Sequence, residues 1–564
     1  MGQLQQGSKK GAFSRTQPWN MRYRQAAEEA QGSTTARAHD DRVFKASGRI
    51  TFSVLLACFV GACTGLVFGY DIGIAGGVIS YPDFQRRFFP QVLEAHADKD
   101  AFCKYNDPLL QLFVSVLFLA GIVGAFLGSF TAKQWGRRPT MMLGGLCFLI
   151  GAVLMAPAVH VAMLIIGRVV MGLGVGICVM CGPLFLSELA PYHLRGAFNT
   201  QFQLFITIGI LVAQCINYGN QNYEWGWRLN LGLAGLPAAL LMVGAALVPE
   251  TPAHLVEVGR EEQGRQVLRR IRGAEDVEVE LQDIKDAAVA ARSTKVNPWR
   301  AIFSRKFTPQ LVTIVALQVF NQLDGINSIM FYAPQLFDAM GSGRREALMT
   351  HVIIGAVNVA TTFVAVFTVD SLGRTFWMVE ASAHMMACEV IMGVLIALKM
   401  DPVTGAIPKD ITVGLIVVVC VFIAGHAWGW GPMPWLVCSE VQPMHTRAAG
   451  TALATIVNFI LTFIIGQCFL SMLCSMRYGV FFFFAGWLAF MGVYTYFLVP
   501  ETKGVPIDEI EYKFRNHWAW GKLMAKHDAA QEAKVVDDIA DDLAAARGTS
   551  SCKVDVAKKG KPEM

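Results

Sequence analysis

The sequence predicts an all-α membrane protein: twelve transmembrane helices in two pseudo-symmetric six-helix halves, joined by a cytoplasmic helical insert. Three observations predict it. First, 54% of the 564 residues are hydrophobic and only 16% are charged, and the mean hydropathy is +0.42. Soluble domains carry about 25% charge, so this chain has too few polar residues to cover its surface in water. Second, twelve apolar runs each reach the ~20 residues that cross a ~30 Å hydrocarbon core. Third, the chain repeats itself: SELAPYHLRG at 187–196 returns as SEVQPMHTRA at 439–448, and VPETP at 248–252 returns as VPETK at 499–503. A net charge of +5 is too small and too scattered for a nucleic-acid partner.

The elements follow in order. Residues 1–50 form a polar arm with nine Lys/Arg against four Asp/Glu. It has no apolar stretch resembling a signal peptide, and its basic excess predicts a cytoplasmic start. The first half, 51–248, holds runs at 52–73, 109–131, 139–158, 162–184, 200–220 and 229–248. A long external loop, 74–108, acts as a lid between the first two. Residues 249–309 carry eleven Lys/Arg and ten Asp/Glu. The helical spacing of Val267, Leu268 and Ile271, then Leu281 and Ile284, predicts short surface helices bridging the halves. The second half, 310–500, holds runs at 310–333, 348–369, 376–398, 411–436, 448–472 and 479–499. A cytoplasmic tail, 501–564, closes the chain. Arg137, Arg138, Arg195, Arg374 and Arg447 all fall in inside loops under this assignment; Arg86, Arg87, Arg344 and Arg345 run against it.

Polar side chains inside the spans narrow the function. Asp71 follows a run of apolar and small residues, and a charged carboxylate at membrane depth costs about 2.5–3.5 kcal/mol on insertion scales. It is therefore paired, protonated or facing water: a helix-end aspartate or a proton carrier. Arg168, early in span four, is the available cation. Gln203, Gln322, Asn327, Asn358, Trp435 and Asn458 lie within apolar helices, where an amide serves an interhelical hydrogen bond or a ligand. Most of the thirteen cysteines sit in apolar runs as small buried side chains. Cys178 and Cys181 form a CxxC without nearby metal partners. Cys103 and Cys474 lie at the external side, where thiols can oxidise. No metal site or organic cofactor is expected. The absence of GxxxxGK[ST] argues against ATP-driven transport, and no nucleophile-elbow or HExxH pattern suggests an enzyme.

Parallel six-span halves around a midplane site are the architecture of the major facilitator fold. FGYDIGIAGGV (68–78), GRVVMGLGVG (167–176), PLFLSE (183–188), PETPAHLVEVGR (249–260), DGINSIMFYAP (324–334), WGWGPMPWLVCSE (428–440) and PETKG (501–504) resemble the sugar-porter branch of that superfamily over residues 50–515. The Cys-bearing first loop, QLFVSVLFLAG (111–121) and MLCSMRYGVFFFFAGW (472–487) are most similar to the plant and green-algal monosaccharide/proton symporters. The resemblance implies that Asp71 carries a proton opposite Arg168, and that Phe68, Ile72, Gln203, Asn321, Gln322, Asn327, Asn358, Trp435 and Asn458 bind a monosaccharide, in particular a hexose. It implies a Cys103–Cys474 disulfide over the external vestibule. The family pattern QQ-x-TGIN reads Asn321-Gln322-Leu323-Asp324-Gly325-Ile326-Asn327 here, so Asn321 is shortened by a methylene and Asp324 is an added carboxylate.

Arg137, Arg138, Glu188 and Arg195 in the first half correspond to Arg374, Glu440 and Arg447 in the second, with Asp370 alongside. They read as a cytoplasmic gate latch, or as positive-inside anchors. Lys133-Gln134 stands where an aspartate is usual before the first WGRR, which predicts a weaker latch in the first half. Glu380 and His384 of span nine are an i,i+4 pair, and Glu389 is assigned no transport role. The expected protein is thus a proton-coupled monosaccharide importer of the plasma membrane, multi-pass, with both termini cytoplasmic. Its partners are sugar, protons and lipid, and a monomer suffices. A passive sugar or polyol uniporter has little use for Asp71. A non-transporting sugar sensor would need a longer tail than the ~60 residues here.

Overall fold

The computed structural model describes residues 51–526, apart from 95–102, 104, 192, 193, 294–296, 340, 342, 401–406 and 506–509. The N-terminal arm 1–50, the end of the tail and part of the lid loop lie outside the described residues. Most of those described are helical, with no strand among them.

Eleven helices are long and apolar enough to cross a membrane. Spans one to five are Phe52–Val78, Pro108–Gln134, Arg137–Met155, Val161–Leu189 and Arg195–Asn220. Span six is Gly226–Leu247, bent at Ala234. Spans eight, nine, eleven and twelve are Arg344–Leu372, Arg374–Lys399, Met444–Met476 and Gly479–Leu498. Span ten is a pair, Lys409–Trp428 and Pro432–Glu440. The twelfth crossing, span seven, departs from the continuous run read at 310–333. It is two short helices, Thr308–Leu323 and Ile326–Ala339, neither long enough alone. Asp324 and Gly325 separate them, with Gly325 at φ +88°, a region open to glycine and strained for other residues.

The repeat has a structural cause. Spans three and nine both begin directly after a glycine of positive φ, Gly136 (+103°) and Gly373 (+96°). The Pro-Glu-Thr motif closing each half supplies the cap. Glu250 accepts from the backbone N–H groups of Arg137 (3.0 Å) and Arg138 (3.1 Å). Glu501 does the same for Arg374 (3.1 Å) and Thr375 (3.0 Å). A carboxylate at a helix N-terminus satisfies orphan N–H groups and faces the positive end of the dipole.

Within the first half, Gly65, Gly69 and Gly73 make a stripe on span one against the backbone carbonyls of Phe202, Ile206 and Ile210 on span five, and a Cβ at any of them would collide. Small residues allow such close approach between membrane helices. Val243, Phe367 and Leu398 are largely exposed on the outside of the bundle, as lipid-facing side chains should be. The insert forms Pro252–Glu257, Glu261–Arg272, Glu278–Ser293 and Pro298–Ile302. Leu268, Ile271 and Leu281 are buried. Arg272 binds Glu280 (2.6 Å) and donates to the carbonyl of Leu189 (2.8 Å), which fixes the insert beneath span four.

Candidate functional site

The breaks in spans seven and ten turn polar side chains toward the axis between the halves. Span seven presents Asn321 and Gln322 from its first helix, then Ile326, Asn327 and Met330 from its second. Span ten presents His426 before its break, and Gly431 and Trp435 after it. With Phe68 and Ile72 of span one, Gln203, Ile206 and Ile210 of span five, Asn358 of span eight, and Asn458 and Thr462 of span eleven, they line one cavity. All nine residues expected to hold a sugar are on its wall. Ile206, Ile210, Ile326, Met330, His426, Gly431 and Thr462 also line it and were not anticipated.

The amides divide into two groups. Asn327 donates to Gln322, Gln322 to Asn321 (3.3 Å), and Asn321 to the carbonyl of Trp430 (2.7 Å). Asn458 donates to Gln318 (2.8 Å) and to Asn321 (3.0 Å). The shortened Asn321 is thereby engaged by protein on both sides of its amide. The Gln203 amide, by contrast, makes no hydrogen bond among the described residues, and the buried Asn358 Oδ1 has no partner either. A wall of amides, two of them with unspent hydrogen-bonding capacity, and a tryptophan, with no arginine or lysine in its lining, suits a neutral polyhydroxylated solute. Buried polar groups of this kind demand a partner.

Asp71 does not line the cavity. It lies on span one between two residues that line the site, Phe68 and Ile72, and its carboxylate pairs with Arg168 of span four. Both are buried, and the Arg168 guanidinium sits 4.5 Å from the centre of the Phe113 ring. Arg168 Nε and Nη2 find no hydrogen-bond partner, so Asp71 is the acceptor that holds this cation.

Both ends of the cavity are closed between the halves. At the lid end, Gln335 of span seven donates to Ser80 (2.7 Å) and to the carbonyl of Gly76 (2.9 Å). Tyr105 donates to Asp338 (2.6 Å), and Cys103 is disulfide-bonded to Cys474. At the opposite end, Asp370 accepts from the N–H of Ala197 (3.0 Å), and Asn199 donates to Ser439 (2.8 Å). The expected latch groups gather here, and two of their pairs lie within a half. Arg137 pairs with Glu188 (2.6 Å) and Arg374 with Glu440 (2.8 Å). Where the first half has Lys133 in place of an aspartate, Glu257 stands 3.7 Å from Arg137, and His254 Nδ1 accepts from Arg137 Nη1 (2.8 Å). Burial, then the neighbouring guanidinium, holds the His254 imidazole below its ordinary pKa, which keeps that acceptor neutral. Arg138 donates to the carbonyl of Ala245 (2.8 Å), tying span three to span six. Arg195 opens span five half-buried, and Arg447 lies buried near the start of span eleven. Glu380 and His384 form the expected pair at 3.4 Å.

Known proteins share this plan. The chain is 45% identical over 523 residues to H(+)/hexose cotransporter 2 of Parachlorella kessleri, covering 92% of this chain and 96% of that one. It is 47% identical over 486 residues to sugar transport protein 13 of Arabidopsis thaliana, covering 85% and 92%. In fold it is similar to the proton:xylose symporter XylE bound to 6-bromo-6-deoxy-D-glucose, with a TM-score of 0.71 at 24% identity, over 82% of this chain and 99% of that one. The sugar (and other) transporter family model matches residues 57–514. A multi-pass bundle built from two six-span halves, closed around a polar cavity at their interface, thus belongs to the sugar (and other) transporter family.

Proposed function

We propose that this protein imports a monosaccharide, hexose first among the candidates, together with protons across the plasma membrane, with both termini in the cytoplasm. One observation carries the reading: nine side chains scattered over six spans line a single cavity, and the Asp71–Arg168 pair stands beside two of them on span one. The hexose/proton cotransport for which the algal relative is named agrees with it, as does the basic bias of the loops at the latch end.

In this mechanism a proton reaching Asp71 neutralises the carboxylate and releases Arg168. Span one is then free to settle Phe68 and Ile72 against bound sugar, and the halves rock from lid-open to latch-open. Return of the empty carrier requires Asp71 to lose its proton to the cytoplasm. One charge moved inward through 100 mV supplies about 2.3 kcal/mol, enough for a roughly fifty-fold sugar gradient.

The test is radiolabelled glucose uptake in a transporter-deficient yeast at acidic external pH. Concentrative uptake that collapses with a protonophore, and in Asp71→Asn, is the expected result. Uptake that merely equilibrates and ignores both treatments would make the protein a uniporter.

A further inference from the structure

A second group of buried titratable side chains stands in the opposite half. Asp324, at the break in span seven, is fully buried. One carboxylate oxygen accepts from the N–H of Ile326 (2.9 Å) and so caps the second helix of that span; the other meets His426 Nδ1 at 2.7 Å. His426 lines the sugar cavity. Its Nε2 has no protein partner among the described residues and stands with the Gln203 amide over the bare Cα of Gly431, 3.1 Å and 3.0 Å from where a Cβ would be. Behind the break, Glu389 of span nine is 1% exposed, its Oε2 has no hydrogen-bond partner, and its Oε1 is 2.9 Å from the place of a Gly325 Cβ.

The surroundings offer no counter-charge. Cys388 and the Glu380–His384 pair lie on span nine. Span ten adds Cys438, held by Gln318, and span twelve contributes the apolar Phe484 at Gly325, with Tyr494 further along. His351 of span eight faces the carbonyl of Met330. No arginine or lysine pairs with Asp324, His426 or Glu389 among the described residues. Two carboxylates with a neutral imidazole would place two negative charges at membrane depth, so the group must hold protons. Its route to water is His426 Nε2, which opens to whichever side the cavity opens.

We propose that Asp324 and His426, backed by Glu389, form a second exchangeable proton site, distinct from Asp71 and in direct contact with the sugar cavity. Protonated His426 offers an Nε2–H donor to a sugar hydroxyl while its Nδ1–H stays on Asp324, so proton and sugar stabilise each other there. Asp324 also caps the helix that carries Asn327 and Gln335, which links the charge on the pair to closure of the lid end. The inference rests on the transport reading for its sugar, but not for its proton.

The experiment uses the full chain carrying Asp71→Asn, histidine-labelled with ¹⁵N and reconstituted in lipid, followed by solid-state NMR from pH 5 to 8. The His426 signal is the one missing in His426→Gln. It is expected to titrate in this range, to do so at lower pH in Asp324→Asn, and to shift to higher pH with saturating glucose. Glucose affinity should fall about tenfold toward pH 8, and less than twofold in the Asp324→Thr/His426→Phe pair. A His426 signal that stays constant, or that ignores Asp324→Asn, overturns the proposal. So does glucose binding that is independent of pH while His426 titrates. If His426 titrates and responds to Asp324→Asn but glucose binds at no pH, the proton site stands and the hexose reading fails.

Discussion

Gln203 and Asn458 are both buried amides on the cavity wall, yet they do different work. Gln203 has unspent hydrogen-bonding capacity, whereas Asn458 spends its donors on Gln318 and Asn321. A typical hydrogen bond contributes about 0.5–1.5 kcal/mol, while orphaning a buried partner costs about 1–3 kcal/mol. Gln203→Ala should therefore raise the KM for sugar about three- to tenfold and leave thermal stability unchanged. Asn458→Ala should lower stability by about 1–3 kcal/mol even without sugar. Uptake kinetics and thermal unfolding of the same two purified variants separate the roles, and equal effects on both readouts would refute the division. At this scale the sequence was informative where polarity stood out from an apolar run, as at Asp71 or Asn358. His426 was missed because one histidine in AGHAWGW looks like a core residue. Its meaning lies in Asp324, 102 positions away, and no local spacing encodes that pairing.

Among the elements, the break in span seven sets the site. Continuous hydropathy hid it, although the Asp324-Gly325 dipeptide was a turn signal in plain view. Gly325 is needed twice, for its φ of +88° and because a side chain would press on Glu389 and Phe484. The left-handed conformation alone costs a non-glycine residue roughly 1–2 kcal/mol. Gly325→Ala should lose at least that much stability, seen in thermal unfolding, and should cut the maximal rate of uptake more than it raises KM. A fully active, stable alanine variant would mean that the break is not required. The Pro-Glu-Thr repeat was legible as repetition, but its purpose was not. Only the folded chain shows Glu250 and Glu501 capping spans three and nine, each more than a hundred residues from the helix it starts.

For the whole molecule, the twelve spans and their two-fold repetition were readable because lipid demands long apolar helices. Apart from the disulfide, the contacts that join the halves were not, since they pair residues far apart in the sequence across the interface. Asp370 accepting from Ala197 is one of them. A hydrogen bond to a charged group is worth about 1.5–3 kcal/mol, so weakening it in Asp370→Asn should shift the closed–open balance about tenfold toward the latch-open state. Maleimide labelling of Ser439→Cys, which lies at the same interface, should accelerate by a similar factor when Asp370→Asn is added. An unchanged rate would show that other contacts dominate.

The disulfide between Cys103 and Cys474 spans 371 positions and encloses spans two to ten, the insert and most of span eleven. The halves are thus joined twice, through the peptide at one end and through sulfur at the other, and the enclosed chain is a closed loop. A protease site placed in the insert should, once cut, still give one piece at full mass on a non-reducing gel, and two pieces only after reduction. The carrier is in this sense a ring that must alternate without ever opening its circle.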